Sequence, residues 1–264
     1  MRKSNYFGLW LLLVLSLSIM VLVSFSDDIK VGEWTVKKAP VRESLFPQLQ
    51  DREKELIRQR LDSMNAAMAQ EALEQPIDSA PQSILLIGDS MTMNLALRLA
   101  QYAKVAGHQF HAVNWDSSNT RIWAESDTLR HFIREYDATF IFISLGANEL
   151  YLTHPEGHRK YVEAILAKVG KIPYVWIGPP NWSEDAGLND MIQATCAPGA
   201  FFRSEGMTFR RKKDGVHPTR ESSALWIDSI VRWIPSSAHP ILFEPVPDSI
   251  GKTNNNIVFL KPKR

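Results

Sequence analysis

The fold is decided by residues 83–92, which read SILLIGDSMT. Ile84 to Ile87 form a short, uninterrupted apolar run, as expected of a parallel strand that is buried on both faces. Gly88-Asp89-Ser90 predicts a turn, and a helical stretch follows from about Thr92 to Ala106. This strand, turn and helix predict the first unit of an α/β fold.

The same alternation continues along the chain. Apolar runs predict further strands at 108–114, 139–145 and 173–177, and helices are predicted at 156–169 and after His217-Pro218. Strands that alternate with helices predict a parallel sheet with helices on both faces. We therefore expect an α/β architecture in which helices flank a parallel sheet.

The N-terminus carries a candidate membrane segment. Arg2 and Lys3 precede an apolar run from Phe7 to Phe25, which as a helix is about 28 Å long, close to the hydrocarbon thickness of a bilayer. The basic flank predicts a cytoplasmic N-terminus, with the remainder of the chain outside. A cleaved signal peptide is the alternative, since Ser24-Phe25-Ser26 resembles a cleavage site. The length of the run favours an uncleaved signal-anchor over residues 1–26.

The rest of the chain divides into three predicted parts. Residues 27–81 form a spacer with a helix near 51–75, whose narrow apolar stripe packs either on its own domain or on a second copy. Residues 82–235 form the main domain. The tail, 236–264, contains an apolar stretch at 257–260 that is suited either to an extra strand or to a partner.

Composition narrows the possible functions. The 264 residues carry 30 Lys and Arg against 29 Asp and Glu, a net charge of +1, which argues against nucleic-acid binding. One cysteine, Cys196, excludes an internal disulfide and a Cys-rich metal site, and we expect its thiol to be buried. No cofactor or metal is predicted.

Three polar clusters stand at strand ends or before the last helix: Gly88 to Met91, Gly146 to Glu149, and Asp214 to Pro218. Each alone is compatible with an ordinary turn. In open α/β sheets, however, sites form beyond the carboxyl ends of the strands. The order and positions of the three clusters together therefore predict one functional site.

These clusters resemble the motifs of the SGNH (GDSL-type) hydrolase family, over roughly residues 83–235, and the resemblance implies a flavodoxin-like, three-layer α/β fold. The family carries its nucleophile in Gly-Asp-Ser, an asparagine in Gly-x-Asn-Asp, and an Asp-x-x-His pair near the C-terminus. The resemblance implies that Ser90 is the nucleophile, His217 the general base and Asp214 the residue that orients this base. It also implies that Asn148 lines the oxyanion hole, and the Ser90 N–H at a helix N-terminus suits the same role.

Two positions depart from the family pattern. The glycine whose N–H normally completes the oxyanion hole is missing from residues 114–120. The N–H of Ser118 or of Asn119 could replace it, and Ser118 is our predicted donor. Glu149 stands in place of the usual aspartate, at a position with no expected chemical role.

Other residues have two interpretations each. His154 and His158 have metal-ligand spacing, although a surface pair is favoured. The basic run Arg210 to Lys213 either attracts an anionic glycan or headgroup or is a solvated loop. Three tryptophans in predicted loops could stack on sugars or pack in the core: Trp115, Trp123 and Trp182.

The sequence thus predicts a membrane-anchored extracytoplasmic serine esterase or O-acyltransferase. From the resemblance and the topology, the expected substrate is O-acetyl groups of envelope carbohydrate. A transferase would need a multi-spanning membrane protein as acyl donor, because acetyl-CoA stays in the cytoplasm. The alternatives are a lipid esterase and a noncatalytic glycan-binding scaffold whose oxyanion hole is degenerate.

Overall fold

The computed structural model describes residues 10–18, 29–31, 34–36, 52, 55–56, 58–60, 63, 67, 76–247 and 256–261. Contacts between Cα atoms divide the chain into two units, Met1–Arg60 and Leu61–Arg264.

In the first unit, residues 10–18 are helical. Within the described residues, no helix is both long enough and apolar enough to cross a membrane. Residues 1–9 and 19–26 of the predicted anchor lie outside the described residues. Strands β1 (Ile29–Val31) and β2 (Trp34–Val36) form an antiparallel pair that the sequence reasoning did not predict. The described positions between 51 and 67 are helical, as predicted for 51–75.

The second unit contains a six-stranded parallel sheet in the order β7-β6-β5-β3-β4-β8. Its strands are β3 (Ser83–Gly88), β4 (Gln109–Trp115), β5 (Phe140–Ser144), β6 (Tyr174–Ile177), β7 (Phe201–Phe202) and β8 (Asn256–Leu260). Its α-helices are α1 (Thr92–Val105), α2 (Thr120–Glu125), α3 (Thr128–Glu135), α4 (Arg159–Val169), α5 (Leu188–Thr195) and α6 (Arg220–Trp233). Short 3-10 helices span Ala147–Glu149, Pro155–His158 and Ile234–Ser236. The predicted parallel α/β sheet is confirmed, whereas α2, α3, α5 and β7 were not predicted.

The central strand β3 explains the three layers. Ile84 and Leu86 pack with side chains of α1 and α6, whereas Leu85 and Ile87 pack on the other face with α2 to α5. All four side chains are fully buried, and each contributes about 1.5–3 kcal/mol by leaving water. The alternating direction of side chains along a strand thus divides one apolar run between two cores.

The tail returns to this sheet. Strand β8 pairs in parallel with β4, from His111 opposite Asn256 to Trp115 opposite Leu260. Of the two alternatives for the tail, the structure contains the extra strand. Ile241, which precedes β8 in the tail, forms an isolated β-bridge with Asp78. This bridge joins the start of the tail to the end of the predicted spacer.

Candidate active site

The carboxyl ends of three neighbouring strands lie in register. Gly88 of β3 is opposite Asn114 of β4 and Ser144 of β5. A Cβ atom at Gly88 would lie 2.1 Å from the Ser144 carbonyl oxygen, so only glycine allows this close approach. The Asp89 N–H donates to the same oxygen at 3.2 Å. These contacts place Ser90 at the edge of the sheet, just before α1.

A tight hairpin carries the other two predicted residues. Lys212 N–H donates to the His217 carbonyl at 2.8 Å and closes the loop around Asp214. One Asp214 oxygen, Oδ1, accepts the N–H groups of Val216 and His217, both at 2.9 Å. The second, Oδ2, lies 2.9 Å from His217 Nδ1. The two backbone N–H groups, with a smaller contribution from the imidazole, lower the pKa of Asp214 to about 2. The carboxylate is therefore ionised at neutral pH.

The structure brings Ser90 and His217 together across 127 positions of sequence. Ser90 Oγ lies 2.8 Å from His217 Nε2. Because an ionised Asp214 can only accept a hydrogen bond, Nδ1 carries the imidazole hydrogen. That tautomer leaves Nε2 free to accept the serine proton. The side chains predicted as nucleophile, base and orienting carboxylate therefore form one connected chain of hydrogen bonds.

Arg211 attaches this hairpin to a neighbouring loop. Its guanidinium donates to the Val216 carbonyl between Asp214 and His217, and to the Asn181 carbonyl at 2.8 Å. One member of the predicted basic run is thus engaged in holding the backbone. Arg210, Lys212 and Lys213 are exposed.

Asn148 is placed by the 3-10 helix that follows β5. Its Nδ2 donates to the Ser118 carbonyl at 2.9 Å, and its second hydrogen has no acceptor within the described residues. The Ser90 N–H likewise has no acceptor within residues 76–247. Both groups therefore remain available to bind an oxyanion.

The prediction for Ser118 needs correction. Its N–H donates to the Trp115 carbonyl at 3.1 Å, in a turn where Ser117 has a positive φ of 57°. Ser118 is therefore placed to hold Asn148 through its carbonyl, while its N–H is already engaged. Asn119 begins α2, accepting the Ile122 N–H at 3.0 Å through its side chain. In the described part of the chain, the Asn119 N–H has no acceptor, which favours the alternative that the sequence left open.

Nothing in the sequence indicated that two carboxyl groups beside the site, those of Asp89 and Glu149, are buried. Asp89 is fully buried, and its Oδ1 accepts the Met91 N–H at 2.9 Å. Burial, opposed by this N–H and reinforced by the nearby charge of Glu149, raises the pKa of Asp89 to about 7. Glu149 is also fully buried and hydrogen-bonded. No local pattern distinguishes such carboxylates from exposed ones.

The remaining candidates are resolved by their contacts. His158 Nδ1 lies 2.8 Å from Glu149 Oε1, and the His158 side chain is 25% exposed, so His158 is paired with Glu149 rather than with His154. Among the described residues, no group of three or more His, Cys, Asp or Glu side chains could hold a metal ion. Cys196 is buried, and burial raises its pKa.

The three tryptophans are engaged in packing. Trp123 is fully buried and meets Trp115 edge-on, with ring centroids 5.4 Å apart. Trp182 donates its indole N–H to the Ala147 carbonyl at 2.8 Å. Trp182 therefore supports the turn that carries Asn148.

No protein-family model matches this sequence, and no curated protein is significantly similar to it. Similar solved structures include a family 3 carbohydrate esterase from Clostridium thermocellum, with 13% identity, a TM-score of 0.48, and coverage of 58% of this chain and 94% of that one. An α/β hydrolase enzyme from the metagenome of Lake Arreo, Spain, has 12% identity and a TM-score of 0.47, and the match covers 60% of this chain and 95% of that one. An acetyl xylan esterase has 12% identity and a TM-score of 0.40, covering 56% and 96%. At these TM-scores, the roles given to Ser90, His217 and Asp214 rest on the geometry of this chain.

Proposed function

We propose that this chain is an SGNH-type serine ester hydrolase or O-acyltransferase. In this proposal, residues 1–26 anchor it in the cytoplasmic membrane, and the domain outside acts on O-acetyl groups of cell-envelope carbohydrate. The observation that carries the proposal is the 2.8 Å contact between Ser90 Oγ and His217 Nε2, continued by the 2.9 Å contact between His217 Nδ1 and Asp214. A serine hydroxyl becomes an effective nucleophile when a base in this position takes its proton.

The chemistry follows from these contacts. Ser90 Oγ attacks the ester carbonyl carbon while His217 Nε2 accepts the hydroxyl proton. The carbonyl oxygen becomes an oxyanion that the Ser90 N–H and the Asn148 amide are available to bind. The C–O bond to the alcohol then breaks, His217 returns the proton to that alcohol, and the acyl group stays on Ser90. Water or a sugar hydroxyl, deprotonated by His217, attacks the acyl-enzyme and releases the product.

The exposure of the site supports a bulky substrate. The side chains of Asp214 and His217 are 45% and 29% exposed, so the catalytic hairpin lies at the surface. An acetyl group carried on a polymer can approach such a site without the polymer entering the fold. The envelope location rests on the basic and apolar N-terminal sequence. A transferase reaction would take its acyl group from a multi-spanning membrane donor protein.

The first test is labelling by a fluorophosphonate probe, which reacts with activated serines. We expect the wild type to be labelled and Ser90→Ala to be unlabelled. Ser229→Ala is the control, since Ser229 is a partly exposed residue of α6 whose hydroxyl donates to the Leu225 carbonyl. Absence of Ser90-dependent labelling would refute the proposal that this chain is an enzyme, and the alternative of a noncatalytic glycan-binding scaffold would remain.

A second test separates the possible substrates. Acetate released from an acetylated glycan, measured with and without an added sugar acceptor, distinguishes hydrolysis from transfer. Hydrolysis rates on nitrophenyl esters with acyl chains of increasing length test the alternative that the protein is a lipid esterase. We expect acetate esters to be preferred, and a preference for long acyl chains would instead support a lipid esterase.

A further inference from the structure

We propose that Glu149 is a positioning residue of the oxyanion hole, because it joins the turn carrying Asn148 to the start of α2. This inference deepens the proposed function and rests on it. The feature that carries it is a set of three hydrogen bonds to one fully buried carboxylate, at a position where the sequence alone predicted no chemical role.

The contacts span two loops of the site. Glu149 Oε2 accepts the Thr120 N–H at 2.9 Å, and Oε1 accepts the Thr120 hydroxyl at 2.6 Å. Oε1 also lies 2.8 Å from His158 Nδ1. Both hydrogen-bonding groups of Thr120 are therefore engaged by one carboxylate. Glu149 and Thr120 are 29 positions apart, so this contact, together with the Asn148–Ser118 hydrogen bond, fixes the distance between the two loops.

Each end of this contact adjoins a candidate donor. Asn148 precedes Glu149, and Asn119, whose N–H has no acceptor within the described residues, precedes Thr120. A shift of the Glu149–Thr120 contact is therefore transmitted through a single peptide unit to a donor on each side. A displacement near 1 Å in such a site can cost about a hundredfold in rate.

Helix α2 is held at its other end as well. The Lys168 ammonium donates to the carbonyls of Trp123, Ala124 and Ser126, at 3.0, 2.5 and 2.6 Å. These carbonyls lie at the C-terminal end of α2, where a cation is favourable. With that end fixed, the Glu149 contact at the N-terminal end sets where the helix start lies relative to Asn148.

Both oxygens of Glu149 are engaged: Oε2 accepts from the Thr120 N–H, and Oε1 contacts the Thr120 hydroxyl and His158 Nδ1. A carboxylate offers only acceptors, whereas the amide of a glutamine offers one acceptor oxygen and an NH₂ donor. In Glu149→Gln, the NH₂ group would face either the Thr120 N–H, which can only donate, or the Thr120 hydroxyl and His158 Nδ1, which would then have to accept. A buried mismatch of this kind is costly, so we expect the loop to shift and part of the contact to be lost.

The experiment measures kcat per active site, counted by fluorophosphonate titration, together with the affinity of a boronic acid that forms a tetrahedral adduct on Ser90. For Glu149→Gln we expect kcat to fall roughly tenfold to hundredfold. Removal of a whole oxyanion-hole donor lowers kcat by more, by a factor of about 10²–10³. Boronate affinity should fall by a similar factor, and KM for nitrophenyl acetate should stay within about twofold. Thr120→Val removes only the hydroxyl partner and should give a smaller loss in the same direction.

The double variant and a matched control complete the test. Because both substitutions act on the same contact, Thr120→Val with Glu149→Gln should be little worse than Glu149→Gln alone. Asp228→Asn is the control: it removes the charge from a contact between α6 and α1, where Asp228 Oδ1 accepts from Arg98 at 2.7 Å and from Tyr102 at 2.9 Å. We expect this control to lower the melting temperature without changing kcat per active site.

Two failures are distinguishable. If Glu149→Gln and Thr120→Val lower the melting temperature but keep the wild-type kcat per site and boronate affinity, Glu149 is structural only and the inference is wrong. If the wild type itself shows neither Ser90-dependent hydrolysis nor Ser90-dependent acyl transfer, the proposed function is wrong and the inference is overturned with it. Should Glu149→Gln not fold, Thr120→Val decides the question alone.

Discussion

Asp89 offers the sharpest test of the electrostatics beside the nucleophile. Its carboxyl is fully buried, and burial raises its pKa from the ordinary range of an aspartate to about 7. A carboxyl that is easier to protonate in the folded protein than in the unfolded chain stabilises the fold below its unfolded pKa. This contribution is lost as the pH rises through the folded pKa. Replacing Asp89 by Asn removes the titration and leaves an oxygen that can accept the Met91 N–H.

The magnitude follows from the pKa difference. A pKa about 3 above the ordinary value of an aspartate corresponds to about 4 kcal/mol in total, at about 1.4 kcal/mol for each tenfold change in proton affinity. Between about pH 5 and pH 8, about 3 kcal/mol of this is lost in the wild type. The free energy of unfolding of Asp89→Asn relative to wild type should therefore rise by about 3 kcal/mol over that range. A pH-independent offset is expected as well, because the new NH₂ group is buried.

Urea unfolding at several pH values measures this difference directly. Asp127→Asn is the control for the removal of one charge, because the Asp127 side chain is 86% exposed. We expect the control to follow the wild type at every pH. If the difference between Asp89→Asn and the wild type is the same at pH 5 and pH 8, burial does not raise the pKa of Asp89 and the reasoning is refuted.

Three further predictions test the rest of the site. Asp214→Asn should lower kcat by about 10⁴ while leaving the fold intact, because the imidazole loses the acceptor that fixes its tautomer; steady-state kinetics and circular dichroism measure both. Asn148→Ala should lower kcat by about 10²–10³ with KM nearly unchanged, through loss of one oxyanion donor. Lys168→Met should lower the free energy of unfolding by about 1–3 kcal/mol, because three carbonyls at the end of α2 lose their donor; urea unfolding measures it.

Each of these has a contradicting outcome. Near wild-type kcat in Asp214→Asn would mean that His217 is oriented by another group. A loss in Asn148→Ala that falls entirely on KM would place the amide in substrate binding. An unchanged unfolding free energy in Lys168→Met would mean that water satisfies those carbonyls equally well.

Much of the sheet was predictable because local patterns reflect the environment of a strand. Continuous apolar runs at Ile84 to Ile87 and at 139–145 correctly predicted strands that are buried on both faces. The short helices α2, α3 and α5 have no comparable signal, since six to eight residues span only about two turns. Their position depends on packing against the sheet.

The prediction of Ser118 as a donor shows where sequence reasoning fails. The Ser118 N–H could point either into the site or towards the Trp115 carbonyl. Its direction depends on the backbone conformation of Ser117, whose φ is 57°. A motif specifies which residues are near a site, but not the direction of a single N–H. The same limit applies to Glu149, whose partners Thr120 and His158 come from separate loops.

The sequence by itself determined that this is an α/β chain, and it indicated Ser90, Asp214 and His217 as one site, because their motifs stand at strand ends and before a helix. The tertiary structure alone decided the strand order, the choice of an extra strand for the tail, and the contacts of the buried carboxylates. The physical reason is the sequence separation of the interacting residues, because hydrophobic periodicity, turns and helix caps involve only residues that are close in sequence. A hydrogen bond between residues 29 or 127 positions apart exists only after the sheet has brought its loops to one edge.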